Sequence, residues 1–224
     1  MTAAMKERRS SDRNTASGAA LAAGVVPPPE SRRAPIWDRP VPGGGRAPLV
    51  WLLGVHGGAG ATTLAHVLAP AADSYRRWPG VFDRESPFVV LVARETIPGL
   101  TRAHDLLRQH HAGLAGPSEV LGLITVAARP GRIPAEIRRY RDVVGSLAGQ
   151  VWQLPWHEEW TLVEADQLPV WSPGDPLPVQ RKRKSDPLEE ITPEVRELGT
   201  GILAAVQTAL DTPGTSERSR EDES

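Results

Sequence analysis

One stretch of the chain, His56-Gly57-Gly58-Ala59-Gly60-Ala61-Thr62-Thr63, has the make-up of an anion-binding turn. Glycines this closely spaced let the backbone curl until successive amide N–H groups converge. A helix opening on the threonine pair adds its positive end, and both attract phosphate oxygens. Glycines at a strand-to-helix turn can also do no more than permit close packing. The phosphate reading is preferred because its context is complete: an apolar strand, the glycine turn, two threonines and a helical pattern follow one another in that order. Within the loop, His56 is the only side chain able to bring a cation to a phosphate, and Thr62 supplies a hydroxyl.

What is missing narrows the chemistry further. The chain has no cysteine, which excludes thiol catalysis, disulfides and cysteine-ligated zinc. Its only lysines are Lys6, Lys182 and Lys184, so none lies near the loop in sequence. Phosphoryl transfer depends on cations that neutralise the developing charge, and each lost lysine–phosphate contact forfeits about 1.5–3 kcal/mol. The loop is therefore expected to hold ATP weakly, with or without Mg²⁺, and not to hydrolyse it efficiently.

Other constellations are less specific. The formal net charge of −1 argues against wholesale nucleic-acid coating but leaves local basic clusters. These are Arg132, Arg138, Arg139 and Arg141, and the run Arg181-Lys182-Arg183-Lys184. Either could meet DNA phosphates or an acidic membrane surface; the plainer reading is solvated arginines balanced by Asp142, Asp186, Glu189 and Glu190. His104, His110 and His111 are close in sequence, but neighbours on a helix point apart and make a poor metal set. His157-Glu158-Glu159 lacks a second histidine. Seven tryptophans stand against two Phe and two Tyr, and Trp152, Trp156, Trp160 and Trp171 gather near the last strand. Core packing is expected of them, with a protein-interaction patch as the alternative.

Around the loop, strand and helix patterns alternate along the chain. Leu49 to Leu53 and Phe88 to Val92 are short apolar runs of the kind that parallel strands buried on both faces require, and Val120 to Val126 and Val151 to Leu154 predict a third strand and a fourth, short one. Between them, Leu64, Val67, Leu68, Ala71 and Tyr75 predict one helix over 62–77 that Pro70 should kink or break; Leu100, Ala103, Leu106, Leu107 and Leu114 predict a second helix or two short turns, ending near Gly113. Ile137, Tyr140, Val144 and Leu147 predict a third helix behind Pro134. A last helix starts with Thr192 as N-cap and Pro193 in its first turn, burying Val195, Leu198, Ile202, Val206 and Ala209. Residues 1–46 and 212–224 read as disordered tails by composition, although Pro35-Ile36-Trp37-Asp38-Arg39-Pro40 is an apolar island, either a docking motif or a segment that packs back on the domain. A proline-rich basic arm is expected over 168–190, inside an α/β domain spanning 47–211. The apolar stretch from Ala19 to Val26 is too short to span a membrane, and no hydrophobic secretion signal follows the basic N-terminus; a cytoplasmic location is expected.

His56 to Thr63 resembles the deviant Walker A loop of the ParA/MinD family, Lys-Gly-Gly-Val-Gly-Lys-Thr-Thr, and is closer still to the atypical CpaE/TadZ group. The resemblance implies a reduced P-loop-type three-layer α/β sandwich of about four mainly parallel strands. It also implies a protein partner in partition, conjugation, or pilus and secretion assembly. The departures carry as much meaning. His56 stands where the family has its signature lysine, and Ala61 where a lysine grips the phosphates. No apolar run ending in the expected Mg²⁺-supporting Asp is evident, and the stretch from Thr63 to Phe88 is short for the usual intervening elements. The expected function is a non-hydrolysing pseudo-ATPase. The alternatives are a residual ATPase or nucleotide switch using Arg94 or His56 as its cation, and a DNA-contacting accessory protein.

Overall fold

The computed structural model describes residues 25–43, 47–175 and 188–211. Within them, β1 (Val50–Gly54), α1 (Ala61–Val67), β2 (Ala71–Asp73), β3 (Phe88–Arg94), α2 (Ile97–His111), β4 (Glu119–Val126), α3 (Ala135–Gly145), β5 (Gln150–Leu154) and α4 (Pro193–Asp211) follow in order. All strands are parallel, in the order β2-β1-β3-β4-β5. β1 and β3 are central and covered on both sides, which explains why their residues form continuous apolar runs.

The helices divide between two faces, giving three layers. Leu64 and Val67 of α1 and Val195, Leu198, Ile202 and Val206 of α4 pack with Leu52, Val90 and Ile124. Leu100, Leu106 and Leu107 of α2 and Val144 of α3 pack with Leu53, Leu91 and Leu123 on the other side. Two glycines within α4 look costly from propensity alone, yet a methyl at Gly199 would overlap the Trp171 ring and one at Gly201 would meet the Trp152 indole. The helix lies on those rings through its glycines. Thr192 accepts the first helical bond through its carbonyl, from Arg196, but its hydroxyl makes no cap.

Three expectations are corrected. The sheet has five strands, because the predicted helix over 62–77 stops at Val67 and the chain turns at Pro70 into β2, which pairs with Val50 to Leu52. Beyond the break the helical stripe fails: Tyr75 is 54% exposed. The return from β2 to β3 has no helix; it runs across the second face with Trp78 wholly buried.

The third correction concerns the N-terminal segment. Residues 25–43 are docked, not free. Gln109, buried on α2, accepts from the Ala34 N–H and donates to its carbonyl, both at 2.8 Å. Ile36 bridges to Trp78, and Arg32 pairs with the buried Asp105 at 2.8 Å. Within the apolar island Trp37 packs on the core, and Ala34 and Val41 on either side of the island are buried, while Ile36 stays exposed. Residues 1–24, 44–46, 212–224 and most of the proline-rich arm (176–187) lie outside the described residues, as do all three lysines. No described helix is long and apolar enough to cross a membrane.

Candidate functional site: the glycine loop at the strand switch point

The chain leaves β1 toward one face and β3 toward the other, so a crevice opens between their C-terminal ends, where ligands of open α/β sheets are held. The loop His56 to Gly60 occupies this crevice. Gly58 and Gly60 are left-handed, φ 76° and 100°, on either side of buried Ala59, which gives the backbone the curl a nest requires. The amides opening α1, Ala61 to Thr63, have no partner within the helix by position. Gly57, Gly58, Gly60, Thr62 and Thr63 line a cleft of about 410 Å³, joined there by Asp73, Arg76 and Arg94. Ala61 contributes no cation: its methyl is buried against the sheet.

Asp73 was not expected. It ends β2 beside the loop, and its Oδ2 accepts from the Thr62 hydroxyl at 2.5 Å while Oδ1 accepts from the Tyr75 N–H at 2.7 Å. A strand ending in an acid is therefore present next to β1, correcting the reading that none exists. Three residues, two of them alanine, carry too little hydrophobic pattern to be seen as a strand; the only local sign is the Pro70 break before Ala71-Ala72-Asp73.

His56 is placed differently from expectation. Its Nε2 accepts the Arg94 backbone N–H at 3.3 Å, so the proton sits on Nδ1, which donates to the Gly57 carbonyl at 2.9 Å. Nε2 ties the loop to the end of β3 and Nδ1 closes back on the next residue, so neither is offered to a phosphate. Arg94 supplies a cation beside the loop. Its Nε donates to the Gly58 carbonyl at 3.0 Å and its Nη1 to the Ala127 carbonyl at 2.9 Å, leaving the remaining N–H groups for a ligand. Half-burial lowers its pKa from the usual arginine value.

Gly60, Thr63 and Arg94 also border a second, smaller cavity of about 90 Å³, whose other wall is Trp156, His157 and Trp160. The His157 and Trp160 rings stack at 4.5 Å, and burial is the main cause that lowers the His157 pKa. The late tryptophans therefore do not form one patch. Trp171 is buried and Trp152 packs under α4, while Trp156 and Trp160 reach the loop.

The remaining sequence candidates separate. His110 stacks on Trp78 and His111 bonds to the Leu147 carbonyl at 2.7 Å, and among the described residues no cluster of metal-ligating side chains forms. Of the arginines around α3, Arg141 is committed to the buried Glu95 at 2.8 Å and to Gln153 at 2.6 Å, which removes it from any DNA-facing set. Arg132 and Arg139 are exposed, and Arg181 to Lys184 lie outside the described residues.

Comparisons with protein-family models, with curated proteins and with solved structures find no match.

Proposed function

We propose that this chain is a ParA/MinD-like pseudo-ATPase that binds a nucleoside polyphosphate with Mg²⁺ and does not turn it over. In this reading it serves as an assembly or positioning partner in a partition, conjugation, or pilus and secretion system. The observation that carries the reading is the Thr62–Asp73 pair beside a glycine loop at the strand switch point. Mg²⁺ in nucleotide sites is held by one or two protein oxygens together with phosphate oxygens, and a loop hydroxyl with a strand-end carboxylate is that donor set. Thr62 and Asp73 would hold the ion, which when bound would offset phosphate charge beside an otherwise repelling carboxylate. The adjoining aromatic cavity favours a nucleotide over free phosphate, since a base has a ring face to stack and an inorganic ion has none.

Absence of turnover follows from the cations. Ala61 brings none, His56 is spent on the backbone, Arg94 is anchored to two carbonyls and unable to follow a moving phosphoryl group as a flexible lysine can, and Arg76 alone remains where the loop it resembles has two lysines. Titration of ATP into the full chain tests the reading. Saturable binding that Mg²⁺ strengthens, with the Mg²⁺ increment lost in Thr62→Ala and Asp73→Asn and phosphate release at background, is the expected result. Binding indifferent to Mg²⁺, or none, overturns it. Mg²⁺-dependent phosphate release abolished by Arg94→Met would instead establish the second reading, a residual ATPase, which the placement of Arg94 at the loop favours.

A further inference from the structure

Just past Asp73 the backbone adopts a costly shape. Tyr75 and Arg76 are both left-handed, φ 56° and 60°, a conformation that residues with a side chain rarely take in succession. Both side chains are exposed, so burial of neither explains it. The flanks hold the shape: the Ser74 N–H donates to the Leu52 carbonyl at 3.0 Å, the Tyr75 N–H to Asp73, and the Trp37 indole to the Ser74 carbonyl at 3.0 Å. Arg77 lies over the Trp37 ring at 4.8 Å, a contact that pins the following residue. The outcome is that Arg76 lies over the loop, its Nη1 3.9 Å from where a side chain on Gly57 would begin. Backbone strain retained by its surroundings concentrates at sites of function.

The cavities around the loop form a series. The aromatic cavity and the phosphate cleft meet at Gly60, Thr63 and Arg94. At its other end the cleft meets a third cavity, of about 440 Å³, at His56, Gly57, Tyr75 and Arg76, and that cavity adds Arg77 and Arg102. Along this groove the order is aromatic rings, Arg94, glycine loop, Arg76, further arginines. Among the described residues, neither Arg76 nor Arg94 forms an ion pair with a carboxylate. Guanidinium groups left without a carboxylate match phosphate oxygens through paired N–H donors.

We infer that Arg94 and Arg76 grip opposite ends of a nucleotide's polyphosphate chain, and that Arg76 makes the site select a triphosphate. Arg94 takes the phosphates next to the nucleoside, and Arg76 takes the terminal one. This rests on the nucleotide reading of the loop. Calorimetric titration of AMP, ADP and ATP with Mg²⁺ into the full chain tests both, using wild type, Arg76→Met, Arg76→Lys and Arg94→Met. Wild-type affinity should rise with each phosphate. Arg76→Met should weaken ATP by about 10–100-fold and leave ADP and AMP within about twofold, Arg76→Lys should restore part of the loss, and Arg94→Met should weaken ADP and ATP alike. Because Arg76 is exposed, its variants should keep the wild-type thermal midpoint. If Arg76→Met weakens ADP as much as ATP, or weakens neither, the selectivity inference falls while the nucleotide reading stands. If wild type binds none of the three, the nucleotide reading falls and this inference with it.

Discussion

Replacing His56 with lysine would restore the signature residue of the family the loop resembles, and resemblance alone would count that as a repair. The structure gives the opposite sign. The His56 Nε2 is the acceptor for the Arg94 backbone N–H, at 3.3 Å, at the point where β3 ends beside the loop. Lysine has three donors and no acceptor, so that amide would lose its partner. The ring also sits tightly: a methyl on Gly99 would come within 3.0 Å of Nε2, leaving little room for a longer chain. A buried donor left unsatisfied costs about 1–3 kcal/mol, and at this half-buried position the lower part of that range applies, about 1–2 kcal/mol. For a chain of this length the midpoint should fall by about 2–8 °C. His56→Gln, which keeps an acceptor oxygen, should lose less than half as much. Thermal and urea unfolding of the three proteins, followed by circular dichroism, provide the measurement. A lysine variant as stable as wild type, or a glutamine variant equally destabilised, would refute the latch.

Three further outcomes are expected. Burial, with a smaller contribution from His111, holds the His110 imidazole down to about 4. The unfolded chain takes up that proton near pH 6.5 and the folded one only near 4, so stability is lost as pH falls through this window; His110→Gln should remove about 2–3 kcal/mol of the loss between pH 7 and 4.5 in urea titrations. Arg141→Met leaves the buried Glu95 carboxylate without its cation and should cost about 3–5 kcal/mol in urea unfolding. Adding Glu95→Gln should recover part of that, and no recovery would mean that the arginine acts through packing instead. Gln109→Ala removes both bonds to Ala34, so limited proteolysis should cut within residues 25–43 sooner than in wild type, with an unchanged digestion pattern counting against the clasp.

Local features were legible from the amino acids alone. The apolar runs of β1, β3 and β4, the short strand β5, the stripes of α2, α3 and α4, and the left-handed glycines of the loop all follow from side-chain period and glycine's freedom, which act over a few residues. The absence of lysine from the loop was equally plain. Features that depend on neighbours distant in sequence appear only in the fold. Ala71-Ala72-Asp73 is a strand only because the edge of β1 is there to pair with it, and it alone brings Asp73 to Thr62. The docking of residues 25–43 depends on a glutamine far along the chain, which a composition that reads as disordered does not reveal. His56 looks like a free cation in sequence and is an acceptor in the fold, because its role is set by the amide it faces and not by its neighbours in the loop. Arg76 carries no motif at all; a left-handed pair of residues, held by Trp37 and β1, puts its charge over Gly57.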